Sequence, residues 1–273
     1  MLSFNTKKQL MKFLSEDIGK GDITSALLPK RNISARIISR EEAIVAGVEY
    51  AKEIFKLKGC NVKVIRKDGS KIKPNQIIMT ISGNAGKILT CERTALNLLT
   101  RMSGIATQTD QLVKKISNRK TKLYATRKTA PGLRYFDKEA VEIGGGKKHR
   151  LRLDEMVMIK DNHIAAGNSL LSLIKSAKRK YKKFEVEVEN TDDAVLAAKE
   201  GATIIMLDNF SPNQIKKTIQ VLTNQKLRDK VMLEASGGIN SKNIAKYGNT
   251  GVDIISVGSI TNSVKGIDMS LEV

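Results

Sequence analysis

The first third of the chain alternates between two hydrophobic rhythms. Leu10, Met11, Phe13 and Leu14 fall at helical spacing and predict a helix over 7–14, ending before the turn-rich EDIGKGDIT. Four short strand-like runs follow, ISARIISR, AIVAGV, NVKVIRK and QIIMTISG, separated by glycine, Asp68-Gly69 and Lys73-Pro74-Asn75. Asp68-Gly69 predicts a tight turn. From Glu92 onward Ala95, Leu98, Leu99, Met102, Ile105, Leu112 and Ile116 keep a period near 3.6, predicting one long helix that bridges two domains. Gly104 sits inside it at a cost to helix propensity.

Beyond Lys120 the pattern becomes strand then helix, repeated. The runs are KLYATRK, EMVMIKDNH, FEVEVEN, TIIMLDN, VMLEASGG and DIISVGS, with helical patterns such as 192–199 and 212–222 between the later ones. Such alternation argues a parallel sheet, and this many repeats argue a closed or nearly closed α/β barrel. The expected architecture is therefore α/β: a smaller N-terminal unit over 1–107 and a barrel over 108–262.

Polar residues collect where these runs end: Arg127-Lys128, Lys160-Asp161-Asn162, Glu189-Asn190, Asp208-Asn209, Ser236-Gly237-Gly238 and Gly258-Ser259. In barrels the C-terminal strand ends form the mouth of the site. The stretch from Thr126 to His163 adds Arg127, Lys128, His149, Arg150, Lys160 and both of the chain's histidines around Gly144 to Gly146. Arginine forks suit carboxylates and phosphates, and lysine adds a mobile point charge, so a polyanionic ligand is expected here. Anion binding suits Lys128 and Lys160 better than Schiff-base chemistry, given the other cations beside them. His149 could donate a hydrogen bond or act as an acid, while His163 is expected to orient its own loop.

Strict alternation puts Glu185, Glu187 and Glu189 on one strand face. Taken alone that is as easily a solvated face as a site. In a barrel, however, Glu187 and Asp208 could hold a hard divalent cation or hydrogen-bond sugar hydroxyls. Ser236, Gly237 and Gly258 lie where barrels recurrently bind phosphate.

Composition sharpens this picture only in part. The hydrophobic share of 41% over 273 residues is ordinary for a globular protein with a real core. No apolar run reaches about 18 residues, and the start lacks a signal-peptide core, so no membrane association is expected. Cys60 and Cys91 match no metal or disulfide spacing, which points to free thiols in the cytoplasm. The net charge of +20 would also suit a nucleic-acid binder. The lysines are scattered, though, and aromatics make up only 4% with no tryptophan, leaving few stacking platforms. Nucleic acid is accordingly not the expected partner, and the charge reads as a steering field for small anions.

The motifs GDIT, ERTALNLL, TRKTAPGLR, GGG-x-x-HR, MVMIKDNHI, EVEVEN, IIMLDN, LEASGGI, GVDIISVGSIT and DMSL occur in that order over essentially the whole chain. In this the sequence closely resembles the quinolinate phosphoribosyltransferases. The resemblance implies a small α/β sandwich domain joined to an incomplete (open) α/β barrel, with 263–273 returning to the first domain. It also implies an NAD-biosynthesis reaction: quinolinate and phosphoribosyl pyrophosphate give nicotinate mononucleotide, pyrophosphate and CO₂, with Mg²⁺ as cofactor. Carried over by motif, Thr126, Arg127, His149, Arg150 and Lys160 would contact substrate, the last four at the two carboxylates. Lys128 would lie near pyrophosphate, Glu187 and Asp208 near ribose and metal, and Ser236, Gly237 and Gly258 around the 5′-phosphate. Lys128, Lys160, Glu187 and Asp208 would carry the catalytic roles. The family implies a homodimer with shared sites, or a higher oligomer, in which Arg93 enters the partner's site. Two positions depart from the common pattern: Lys148, where relatives often have asparagine, and Asn262, where they often have histidine. The competing readings are a related phosphoribosyltransferase-like protein of the molybdenum-transport type and a basic nucleic-acid-binding protein.

Overall fold

A computed structural model describes residues 2–118, 120–167 and 169–273. The chain divides into two compact units: Met1–Asp110 with Glu139–Gly145 and Ser263–Val273, and Gln111–Lys138 with Gly146–Asn262.

The first unit opens with helix α1 (Phe4–Ile18), whose first turn is capped by Ser3 Oγ accepting from the Thr6 amide. Strands β1 (Asn32–Ser39) and β2 (Ala43–Ile44), helix α2 (Val48–Leu57), and strands β3 (Asn61–Val64), β4 (Lys71–Ile72) and β5 (Ile77–Asn84) follow. Helix α3 then spans Ala85–Lys115. The four-stranded sheet has the order β12-β1-β5-β3, where β12 (Met269–Glu272) is the last strand of the chain, antiparallel to β1. A bulge interrupts the β1–β5 register between Ile37 and Ile38. Ile37, Ile54, Phe55, Ile78 and Ile81 form the core of this unit, each worth about 1.5–3 kcal/mol of burial.

The run AIVAGV does not continue as a strand. Gly47 adopts φ +96°, and helix α2 begins at Val48, whose amide donates to Asp68 Oδ1 at 2.9 Å. The Asp68-Gly69 turn is present, with Gly69 at φ +84°, so Asp68 serves both the turn and the start of α2. Helix α3 starts seven positions before Glu92 and runs unbroken through Gly104. A Cβ at Gly104 would lie 2.1 Å from the Lys265 carbonyl oxygen, so the glycine admits the C-terminal segment against the helix.

The second unit alternates strand and helix. It holds β6 (Lys122–Ala125), α4 (Arg134–Ile143, whose end belongs to the first unit), β7 (Val157–Ile159), α5 (Asp161–Ala165), α6 (Leu170–Lys180) and β8 (Phe184–Val188). Then come α7 (Thr191–Glu200), β9 (Ile204–Asp208), α8 (Pro212–Asn224), β10 (Met232–Ser236), α9 (Ile244–Gly248), β11 (Ile254–Val257) and α10 (Ser259–Asn262). The six strands are all parallel, in the order β6-β11-β10-β9-β8-β7. Beside β6 a single parallel bridge joins Tyr124 to Lys147, and β6 and β7 are not paired, so the barrel is open. Strands buried on both faces read as near-continuous apolar runs, which is why IIMLD and IISV carry so few polar residues.

Candidate active site

Parallel strands all end on one side of their sheet, so their C-terminal residues converge there. A cavity of about 390 Å³ opens at these ends, lined by Thr126, Arg127, Lys128, His149, Arg150, Lys160, Glu187, Asp208 and Ser236, with Ala125, Met158, Met206, Glu234 and Ser256 completing the wall. The period-2 alternation of strands explains the choice: Met158 and Lys160, Glu185 and Glu187, Met206 and Asp208, and Glu234 and Ser236 each share a face. Glu185, Glu187 and Glu189 run from floor to rim, the first buried, the second partly buried, the third exposed.

Each charged side chain in the wall has a definite setting. Arg150 donates from Nη1 to the Met156 carbonyl at 2.9 Å, and Nη2 lies 3.1 Å from Met158 Sδ, which fixes the plane of its fork. Burial and the nearby Arg127 charge pull its pKa down. Arg127 Nε is buried with no hydrogen-bond partner, an exposed cost unless a ligand accepts from it. Lys160 forms a close ion pair with Glu187 Oε2. The Lys160 amide donates to His163 Nδ1 at 2.9 Å, so His163 holds the start of α5 and orients its own loop. Asp208 is steadied by Asn209, whose Nδ2 donates to Oδ2 at 2.7 Å from a left-handed backbone (φ +57°).

The phosphate-type positions are built from close approaches. Gly237 has φ +90°, and a Cβ there would fall 2.2 Å from Asn209 Oδ1 and 2.7 Å from the Asn209 nitrogen. At Gly258 a Cβ would meet Lys128 Cδ at 3.0 Å, so the missing side chain leaves room for the Lys128 stem. The Lys128 amide donates to Thr126 Oγ1 at 3.1 Å, and Thr261 Oγ1 donates to the Lys128 carbonyl at 2.8 Å.

The structure thus brings Thr126, Arg127, Lys128, His149, Arg150, Lys160, Glu187, Asp208 and Ser236 to one cavity, with Gly237 and Gly258 next to members of its wall. Arg93 is not among them; it lies exposed on α3 in the first unit. Glu189-Asn190 is a strand end of another kind: Asn190 Oδ1 caps α7 by accepting from the Asp193 amide at 2.8 Å. The triple glycine serves packing too. A Cβ at Gly144 would lie 2.4 Å from the Ala106 carbonyl oxygen on α3.

His149 differs from the expected carboxylate contact. Its Nδ1 accepts from the Arg150 amide at 2.8 Å, and its Nε2 lies 3.3 Å from Glu185 Oε2 and 3.4 Å from Glu234 Oε2. Both ring nitrogens therefore face protein atoms, and the ring packs edge-on against Tyr124 at 5.7 Å. Burial would push the imidazole down, but the two facing carboxylates more than offset it and hold its pKa at about 9. A rise of that kind favours the imidazolium, with hydrogen on both ring nitrogens, whereas the Arg150 amide donating to Nδ1 fits only a ring without hydrogen there; the hydrogen-bond geometry therefore places the single ring hydrogen on Nε2. For Glu185 burial pushes the pKa up, the His149 contact opposes, and the Glu234 charge adds to the rise.

Sequence reading missed Glu185 as a floor residue, and it missed Glu234 and Lys138 altogether. Lys138 is fully buried on α4 and donates from Nζ to the carbonyls of Lys148, at close range, and Arg150, at 2.6 Å. Burial, reinforced by the Arg134 charge, lowers its pKa to about 8. A single glutamate inside the run VMLEAS was the available signal for Glu234, since an ionisable residue amid buried apolar neighbours is seldom neutral to function.

Residues 105–272 match the quinolinate phosphoribosyl transferase C-terminal domain, and residues 22–103 match the corresponding N-terminal domain. The chain is 44% identical over 271 residues to a probable carboxylating nicotinate-nucleotide pyrophosphorylase of Methanothermobacter thermautotrophicus, covering 97% of each. It is 40% identical over 273 residues to a protein of the same description from Bacillus subtilis, covering 98% of this chain and 93% of the relative. Among solved structures, the nicotinate-nucleotide pyrophosphorylase of Francisella tularensis superposes with a TM-score of 0.92 at 40% identity, over 100% of this chain and 97% of that one.

Proposed function

The chain belongs to the quinolinate phosphoribosyltransferase family, and we propose from that premise how its pocket converts quinolinate and phosphoribosyl pyrophosphate into nicotinate mononucleotide, pyrophosphate and CO₂. The observation that carries the proposal is the cavity at the strand ends, where four cationic side chains share the wall with three carboxylates and Arg127 Nε is buried without a partner. A planar dicarboxylate supplies the acceptor that this nitrogen lacks.

Arg127 and Arg150 grip the two carboxylates of quinolinate, with Lys160 adding charge at the rim. The backbone around Ser236, Gly237 and Gly258 receives the 5′-phosphate, where the two glycines let Asn209 and Lys128 pack close against the loops. Glu187 and Asp208, on adjacent strands and both in the wall, fit a hard cation that shares oxygens with a diphosphate. When bound there, Mg²⁺ neutralises the charge that develops on departing pyrophosphate. Lys128 lies across Gly258 at the end of β11 and stabilises the same leaving group. Holding the pyridine nitrogen against the ribose carbon makes attack on an oxocarbenium-like centre effectively unimolecular. Once bonded, the ring nitrogen is cationic, so the adjacent carboxylate leaves as CO₂; the ring charge stabilises the carbanion left behind, which takes up a proton to give nicotinate mononucleotide.

The homodimer is part of the proposal. Phe4, Ile23 and Leu27 are 79%, 84% and 84% exposed on the first unit, as expected of residues that a partner covers. Arg93, exposed on α3, is available to complete a partner's site. No helix among the described residues is long and apolar enough to cross a membrane. Cys60 and Cys91 are buried free thiols, which suits a reducing cytoplasm.

Turnover is the test. Incubation with quinolinate, phosphoribosyl pyrophosphate and Mg²⁺ should yield nicotinate mononucleotide; absence of the nucleotide, together with tight salt-sensitive nucleic-acid binding, would reverse the reading.

A further inference from the structure

We propose that Glu185, Glu234 and Lys138 are positioning residues that set the turn from which Arg150 reads the quinolinate carboxylates. This rests on the functional reading above and deepens it. The turn Lys148–Arg150 needs holding. His149 sits at φ +49°, a left-handed conformation that a non-glycine residue adopts only at a cost. Three buried ionisable groups meet it from beneath. Lys138 Nζ donates to the carbonyls on either side of His149, those of Lys148 and Arg150. The imidazole takes the Arg150 amide on Nδ1, which leaves Nε2 carrying the hydrogen, aimed between Glu185 Oε2 at 3.3 Å and Glu234 Oε2 at 3.4 Å. Glu234 is itself fixed, since its Oε1 accepts from Ser256 Oγ at 2.5 Å.

His149, Glu185 and Glu234 have ligand atoms within 4.8 Å of one another, the spacing of a metal site. The hydrogen on Nε2 argues otherwise, because a metal would need the lone pair there while Nδ1 is already an acceptor. Fold stability does not account for the cluster either. His149 Nε2, Glu185 Oε1 and Oε2 and Glu234 Oε2 are all buried without hydrogen-bond partners, so the ring and the two carboxylates meet electrostatically rather than through formed hydrogen bonds. Apolar side chains of similar volume would avoid that desolvation cost. What the cluster does provide is a rigid seat: the Arg150 backbone is held at its nitrogen by His149 and at its carbonyl by Lys138, and its guanidinium at Met156 and Met158. A fork built this way enters the cavity in one orientation.

Steady-state kinetics with each substrate varied independently tests the proposal, using Glu185→Gln, Glu234→Gln, Lys138→Met, His149→Phe and the Glu234→Gln/His149→Phe double variant. A shift of the Arg150 fork should raise the KM for quinolinate about tenfold or more while that for phosphoribosyl pyrophosphate stays within about twofold. Because Glu234 acts through His149, the double variant should be no worse than His149→Phe alone. Should Glu185→Gln or Lys138→Met fail to fold, Glu234→Gln and its double-mutant cycle decide the matter. Equal rises for both substrates, an unchanged quinolinate KM, or additive losses in the double variant would overturn the positioning role. Absence of wild-type turnover would instead sink the functional reading, and this inference with it.

Discussion

In the proposed site Arg127 and Arg150 share one role, and the structure holds them in different states of readiness. The Arg150 fork is already engaged by Met156 and Met158, whereas Arg127 keeps a buried nitrogen without a partner. Arg150→Ala should therefore weaken quinolinate binding by about 1.5–3 kcal/mol and leave phosphoribosyl pyrophosphate binding nearly unchanged, measured by equilibrium titration with each ligand. Equal losses for both would move Arg150 out of the carboxylate-reading role. At this scale the rim of the site was legible in the sequence, because Arg127, Lys128, Lys160, Glu187 and Asp208 follow apolar runs directly or close them. The floor was not. Glu185 belongs with Glu234 and His149 only once β8 and β10 flank β9, a juxtaposition of residues 36 to 85 positions apart that no local pattern reports.

Among the elements, glycine separates packing from chemistry. Gly144 to Gly146 lies amid the cationic cluster in sequence and so looked like part of an anion site, yet Gly144 lets the end of α4 close on Ala106 and Thr109. Gly144→Ala should cost about 1–3 kcal/mol of stability in urea denaturation, as overpacking against backbone does. Strand and helix assignment in the second unit followed from the apolar runs themselves, since parallel strands covered on both faces have little else to show. In the first unit the same logic failed at AIVAGV. A run rich in β-branched and small residues reads as strand, but the left-handed Gly47 and the Asp68 acceptor turn it into the start of α2. The extra turns of α3 before Glu92 were hidden because AGKILTC has too few polar residues to show a face.

On the scale of the molecule, the proposed homodimer would complete each site with Arg93 from a second copy. Mixing Arg93→Ala subunits with Lys160→Ala subunits should restore part of the activity that each homodimer lacks, because one site in the hybrid receives both intact residues. A demonstrated heterodimer with no recovery would show that each chain works alone. If the +20 charge steers the polyanionic substrates, as proposed, their association should slow as salt is raised. A closed or nearly closed parallel barrel was readable from the repeated strand–helix pattern, and its openness from the family resemblance; the division at Asp110, with Glu139–Gly145 counted in the first unit, was not, because contact rather than composition sets it. The account stands most directly on one measurement: CO₂ released from quinolinate labelled at the carboxylate beside the ring nitrogen. Release that requires phosphoribosyl pyrophosphate and Mg²⁺, matched one for one by nicotinate mononucleotide and pyrophosphate, is the predicted result. Labelled CO₂ released without phosphoribosyl pyrophosphate, or nucleotide that retains the label, would contradict it.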